Sequence, residues 1–131
     1  MPSLFSRIVN GEIPCYKVAE NDHYLAFLDI NPLVKGHVLV IPKIEIDYIF
    51  DLEDDAYRGL WLFSKRVSQA IKKAITCKRI GIAVIGLEVP HAHIHLIPMN
   101  RVNDMNFAAT KLSLEKEELL LISDKIRNEF I

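Results

Sequence analysis

Between Val89 and Met99 the chain reads VPHAHIHLIPM, which sets three of its five histidines at alternate positions, His91, His93 and His95. No other stretch restricts the fold as much. In an extended strand successive side chains point to opposite faces, so the histidines share one face, with neighbours about 7 Å apart along the strand. Ala92, Ile94 and Leu96 share the other face. A helix would scatter the same residues around its surface. The β-branched Ile94 and Ile97 favour the strand, and Pro90 and Pro98 bracket it. The pattern predicts an imidazole row lining a cleft, backed by an apolar face in the core.

The rest of the chain offers partners for such a strand. Its 131 residues predict one domain, residues 1–131, long enough to bury a core. Leu4–Val9 reads as one or two helical turns, closed by Asn10-Gly11 and Pro14. Tyr16–Glu20 and Tyr24–Asp29 read as a hairpin, and His37–Pro42 as a third, strongly apolar strand. Asp51 is the expected N-cap of the main helix, whose apolar positions Ala56, Leu60, Phe63, Val67, Ala70, Ile71 and Ala74 predict roughly five or six turns. Lys72, Lys73, Lys78 and Arg79 near its C-terminus read as a solvated end that suits the helix dipole. Arg79–Ile85 is a fourth strand. About four residues separate it from the histidine stretch, so the two are expected to pair antiparallel. Arg101–Thr110 reads as polar and irregular, and a second helix is expected from an N-cap at Ser113 to about Asn128. The predicted fold is α+β: a mostly antiparallel sheet of about five strands, one long helix and a C-terminal helix.

Composition removes several function classes. A formal net charge of −1 argues against a nucleic-acid partner. No apolar run approaches membrane-spanning length, so no membrane partner is expected. Met1–Phe5 lacks a basic n-region followed by an apolar h-region, and Cys15 and Cys77 fit no metal or redox spacing. The expected compartment is a reducing cytoplasm. Trp61 and other apolar residues of the long helix are candidates to face a partner.

Three histidines on one face admit three readings. Alternate imidazoles can share a metal. A middle imidazole can attack phosphorus while its neighbours assist. The row can also be structural. A catalytic zinc site wants carboxylates around its ligands, and the nearest in sequence, Glu88, is poorly spaced for that role.

The residues resemble a known family. HAHIHLI fits the histidine triad signature, His-φ-His-φ-His-φ-φ with φ apolar, at every position. LFSRIVNGEIP, YLAFLDINPLVKGHVLVIPK and VPHAHIHLIP look like consecutive blocks of that family and cover most of Leu4–Pro98. The resemblance implies an α+β homodimer that binds purine nucleotides, with no cofactor. It implies hydrolysis or transfer at the α-phosphorus of nucleoside phosphoramidates or dinucleoside polyphosphates through a nucleotidyl-histidine. Carried onto this chain, His93 is the nucleophile, His95 contacts the phosphate and helps protonation, and His91 orients His93 through hydrogen bonds. Asp29 matches the ribose-binding acid. Phe5, Ile8, Phe27 and Ile30 match the positions around the base. His37 looks structural.

Two departures stand out. Many bacterial relatives hold a structural zinc through Cys-x-x-Cys and a later histidine. This chain has Ser3, Ser6 and Glu45 there, and no structural zinc is expected. The family's polar phosphate-binding loop is also altered. Gly86 and Val89 match, and their backbone N–H groups remain available, but Leu87 and Glu88 replace polar residues. A carboxylate beside a phosphate is repulsive, which leaves an alternative reading: a nucleotide- or partner-binding module of the same fold with little catalysis.

Overall fold

The computed structural model describes residues 1–131. In chain order the elements are α1 (Leu4–Val9), β1 (Lys17–Glu20), β2 (Tyr24–Leu28), β3 (Val38–Pro42), α2 (Asp54–Ala74), β4 (Arg79–Ala83), β5 (Ile94–Met99) and α3 (Lys116–Glu129). Short 3₁₀ turns occupy Ile49–Asp51 and Val102–Met105. The strands form one antiparallel sheet in the order β1-β2-β3-β5-β4. The predicted α+β class and five-stranded sheet are therefore observed. No helix is long and apolar enough to cross a membrane.

Side-chain alternation divides the sheet into two layers. Ala26 and Leu28 of β2, Val38 and Val40 of β3, and Ile94 and Leu96 of β5 join the main core with Leu60, Phe63, Val67 and Ile71 of α2 and Ile122 and Ile126 of α3. Leu25 and Phe27, with Leu39 and Ile41, face the other way and form a smaller cluster closed by Phe5 of α1. All five residues of β2 and of β3 are buried, because both faces of these strands are covered. That is why their sequences read as continuous apolar runs rather than as alternations. The histidine side chains of the 91–95 run fall on the α1 side of the sheet, where His95 sits opposite Leu39 in the β3–β5 ladder.

Several boundaries differ from the sequence reading. Only His95 lies within a strand. His91 and His93 occupy an irregular run before β5, because β3 pairs only with Ile94–Leu96 and the His91 N–H turns back to the Val89 carbonyl at 2.8 Å. Ten residues, 84–93, thus separate β4 from β5 rather than four, although the two do pair antiparallel. Pro98 lies inside β5, beyond the segment that β3 pairs with. Asp51 ends a 3₁₀ turn and is not a helix cap. Leu52 and Glu53 are extended, so α2 begins at Asp54. Similarly α3 begins at Lys116 rather than beside Ser113, because the Leu112 N–H is tied to the Pro32 carbonyl at 2.9 Å and Glu115 is extended.

Gly59 lies inside α2 where glycine normally costs about 1 kcal/mol against alanine. Here the Tyr24 hydroxyl occupies the place of the missing Cβ and donates to the Ala56 carbonyl at 3.0 Å. Overpacking of this kind costs about 1–3 kcal/mol and outweighs the gain in helix propensity. Gly59→Ala is expected to lower the melting temperature, and calorimetry of the purified variant checks this.

Candidate active site

The site forms where the run before β5 passes under α1. His93 is held by its Nδ1–H, which donates to the His91 carbonyl at 2.7 Å. That direction is forced, since a carbonyl can only accept. In the neutral ring Nε2 therefore carries the lone pair, and it makes no hydrogen bond to the protein. An oriented imidazole with one unbonded nitrogen has the chemistry to act as a nucleophile. The Phe5 ring stands edge-on to His93 at 5.0 Å.

His95 lies beside it, with ring centroids 4.9 Å apart. Its proton is placed by a chain of donors. The Leu33 N–H donates to His37 Nδ1 at 3.1 Å, so neutral His37 carries its proton on Nε2. That proton is given to His95 Nδ1 at 2.9 Å. His95 must then hold its own proton on Nε2, where it is a hydrogen-bond donor. Gly36, at φ +92°, makes the turn that delivers His37. His37 is structural in the sense expected, yet it belongs to the site because it sets the tautomer of His95. Phe107 packs edge-on over His95 at 4.9 Å. It comes from the irregular segment after β5 and matched no motif.

Burial depresses both rings as bases, His37 to about 3 and His95 to about 4. In each case loss of water is the main cause, and neighbouring imidazoles add to it. The consequence for stability has a definite sign. Above the ordinary value of 6.5 both rings are neutral in the folded and unfolded chain and contribute no pH dependence. Below it the unfolded chain binds protons that the folded protein refuses, so stability falls as pH drops from 6.5 toward 4. Each pH unit per ring is worth at most about 1.4 kcal/mol. The melting temperature is expected to decline through this window, and His37→Gln to flatten the decline; thermal scans at stepped pH test it.

Asp29 follows β2, and its carboxyl is raised by burial, with the Asn31 N–H, His93 and Lys111 opposing and Glu88 adding to the rise. Its Oδ1 accepts the Asn31 N–H at 2.9 Å, as in a turn, while Oδ2 lies 3.8 Å from His37 Nε2. Asp29, His37 and His95 each bring a possible ligand atom within 4.8 Å of the others. Within the row both His91 nitrogens are engaged by the protein, and His37 and His95 already share a hydrogen bond. Of the residues expected around a base, Phe5 and Phe27 are buried edge-to-face at 5.6 Å, with Ile8 packed against their cluster; Val89, expected at the phosphate, packs there too. Ile30 does not join them and is 57% exposed.

His93 also lines a cleft of about 380 Å³, together with Tyr48, Phe50, Trp61, Ile85, Gly86 and Leu87. Gly86 adopts φ +71°, the region glycine favours. Leu87 is 88% exposed, and Glu88 is exposed beside it.

Ser3, Ser6 and Glu45 meet at His91. The Ser3 hydroxyl lies 2.8 Å from His91 Nδ1, and the Pro42 carbonyl lies 2.8 Å from Nε2. Glu45 Oε1 accepts the Ser3 N–H at 2.6 Å and the Ser6 hydroxyl at 2.7 Å. These donors do not fit zinc. Neutral hydroxyls are poor ligands for it, and the imidazole has no free nitrogen.

An α+β domain with an oriented imidazole, its Nε2 free of the protein, beside a second imidazole that presents an N–H is a recognisable class of site. The chain belongs to the histidine triad family: the HIT domain matches residues 10–102. An uncharacterised HIT-like protein of Borreliella burgdorferi is 37% identical, over 94% of this chain and 94% of its own. An adenosine 5'-monophosphoramidase of Schizosaccharomyces pombe is 32% identical, over 98% of each. The crystal structure of a HIT-like protein involved in cell-cycle regulation from Bartonella henselae superposes with a TM-score of 0.83 at 27% identity, covering 97% of this chain and 95% of that one.

Proposed function

We propose that this protein is a hydrolase or nucleotidyl transferase that acts at the α-phosphate of a purine nucleoside phosphoramidate or dinucleoside polyphosphate through a covalent nucleotidyl-His93. The observation that carries this reading is the His93 Nδ1–H donated to the His91 carbonyl at 2.7 Å, which leaves Nε2 as the nucleophile. Similarity to an adenosine 5'-monophosphoramidase over the whole chain supports a phosphoramidate. Phe5, Ile8, Phe27 and Ile30 form the base side. Asp29 binds the ribose, and the backbone of Gly86 and Val89 faces the phosphate.

The lone pair of His93 Nε2 attacks phosphorus, and the bond to the leaving group breaks. His95 is neutral in the free protein, so it serves as a donor to a phosphoryl oxygen. The leaving nitrogen takes up a proton from solvent and departs as the neutral amine, while the His95 Nε2–H stays on the phosphoryl oxygen and stabilises the charge there. The phosphorylated imidazole is cationic and keeps its Nδ1–H on the His91 carbonyl. Water next attacks phosphorus and loses a proton to solvent, and the P–N bond to His93 breaks, its electron pair returning to Nε2, to release the nucleotide.

Incubation with adenosine 5'-phosphoramidate tests the reading, with release of AMP expected. Retained AMP binding without release would instead favour the binding module that exposed Leu87 and Glu88 suggest.

The same reading includes a homodimer. Edge strand β4 has no partner on one side, and Ile82, with Leu62 of α2, is more than half exposed. An unpaired apolar edge invites a second copy. Sedimentation is expected to give a dimer, and Ile82→Lys to weaken it; a monomer at micromolar concentration would count against it.

A further inference from the structure

We propose that Ser3 is a positioning residue for the reaction: a single hydroxyl caps α1 and fixes the imidazole of His91, and through His91 it aligns His93. This rests on the reading of His93 as nucleophile.

Ser3 lies 88 residues from His91 in sequence and is buried, at 5% exposure. Its oxygen accepts the Ser6 N–H at 3.0 Å, the N-cap bond of α1. The direction of its own hydrogen follows from the neighbours. The Pro42 carbonyl can only accept, so His91 carries its proton on Nε2, and His91 Nδ1 needs a donor. Two hydroxyls are near it. Ser6 Oγ, at 3.5 Å, sends its hydrogen to Glu45. Glu45 also takes the Ser3 N–H, so its carboxylate absorbs the competing donors and leaves the Ser3 O–H for His91 at 2.8 Å.

His91 is then held at every polar atom. Its ring is fixed at both nitrogens, its N–H bonds the Val89 carbonyl at 2.8 Å, and its carbonyl receives His93 Nδ1–H. The group is 0% exposed, so no water can replace a lost partner without rearrangement. The helix that Ser3 caps also carries Phe5, edge-on to both His91 and His93. One hydroxyl therefore ties the apolar wall of the site to the nucleophile.

A cap and a positioning residue differ in what they tolerate. Aspartate caps helices as well as serine does, but a carboxylate only accepts. It would require His91 to be protonated on both nitrogens. An imidazolium beside His93 opposes the positive charge that His93 gains on attack. The charged or titratable groups acting on His91 are Glu45 and His93, so Ser3→Asp is made in a Glu45→Gln background, which removes carboxylate repulsion and keeps an acceptor.

The experiment measures kcat, KM and the pH–rate profile with adenosine 5'-phosphoramidate, together with melting temperature and imidazole ¹⁵N shifts. Ser3→Ala is expected to lose about tenfold in kcat, the rate equivalent of one hydrogen bond, and to melt lower. Ser3→Thr recovers both. Ser3→Asp with Glu45→Gln melts like Glu45→Gln alone, yet loses about tenfold in kcat, shifts its pH profile and shows a His91 imidazolium. Undiminished kcat and an unmoved profile in that variant would overturn the proposal and leave Ser3 a cap. A wild-type His91 protonated on Nδ1 would overturn it too, whatever the rates. Absence of wild-type turnover, with the His91 tautomer as described, would sink the functional reading and the catalytic part of this one together.

Discussion

Replacing His93 with alanine is expected to abolish turnover of adenosine 5'-phosphoramidate, by a factor of at least ~10³, while AMP affinity stays within a few-fold. The asymmetry follows from where the ring sits. Its Nε2 makes no bond to the protein, so its loss removes the nucleophile without orphaning a buried partner except the His91 carbonyl. Contacts expected to bind a nucleotide come from other residues: Phe5 and Phe27 on the base side, Asp29 at the ribose, and the backbone of Gly86 and Val89. Calorimetric titration with AMP and a steady-state assay on the same preparation separate the two quantities. A variant that keeps wild-type turnover would remove His93 from the mechanism.

His37→Ala is expected to have the second-largest effect. His37 is 1% exposed and bonds at both nitrogens. Its removal orphans the Leu33 N–H, at about 1–3 kcal/mol, and opens a cavity against His95. It also frees His95 to carry its proton on Nδ1, facing away from the phosphate. Loss of one donor to a phosphoryl oxygen costs about 10²–10³ in kcat. His37→Gln carries an amide donor for His95 and is expected to recover most of the rate. The ¹⁵N shifts of His95 report its tautomer directly. If His37→Ala kept both rate and tautomer, the relay from Leu33 would have no role.

The sequence alone carried much of the framework. Strict alternation along His91–Leu96 predicted a cleft face and a core face, and Ile94 and Leu96 do enter the main core while the histidines face α1. The apolar runs of β2 and β3 were legible because continuous burial leaves an unbroken hydrophobic string. Helix starts were less so. Asp51 and Ser113 have good capping chemistry, but Leu52–Glu53 and Leu112–Glu115 are pulled into extended backbone, the latter by the bond to Pro32.

The missed site residues share a cause. His37 meets His95 across 58 positions and Ser3 meets His91 across 88, and no local period encodes such a pairing. Phe107 sits in a polar stretch whose only signal was one aromatic among asparagines and alanines. Ile30 was placed by its match to the family pattern, and it is exposed where the chain turns at Asp29.

The most direct test of the account traps the intermediate. Wild-type protein mixed with adenosine 5'-phosphoramidate is quenched in alkali, because the P–N bond to imidazole is labile in acid, and the digest is read by tandem mass spectrometry. One adenylyl group is expected on the peptide spanning the histidine row, localised to His93 and absent from His93→Ala. Turnover without any adduct, or an adenylyl group on a different residue, would contradict it.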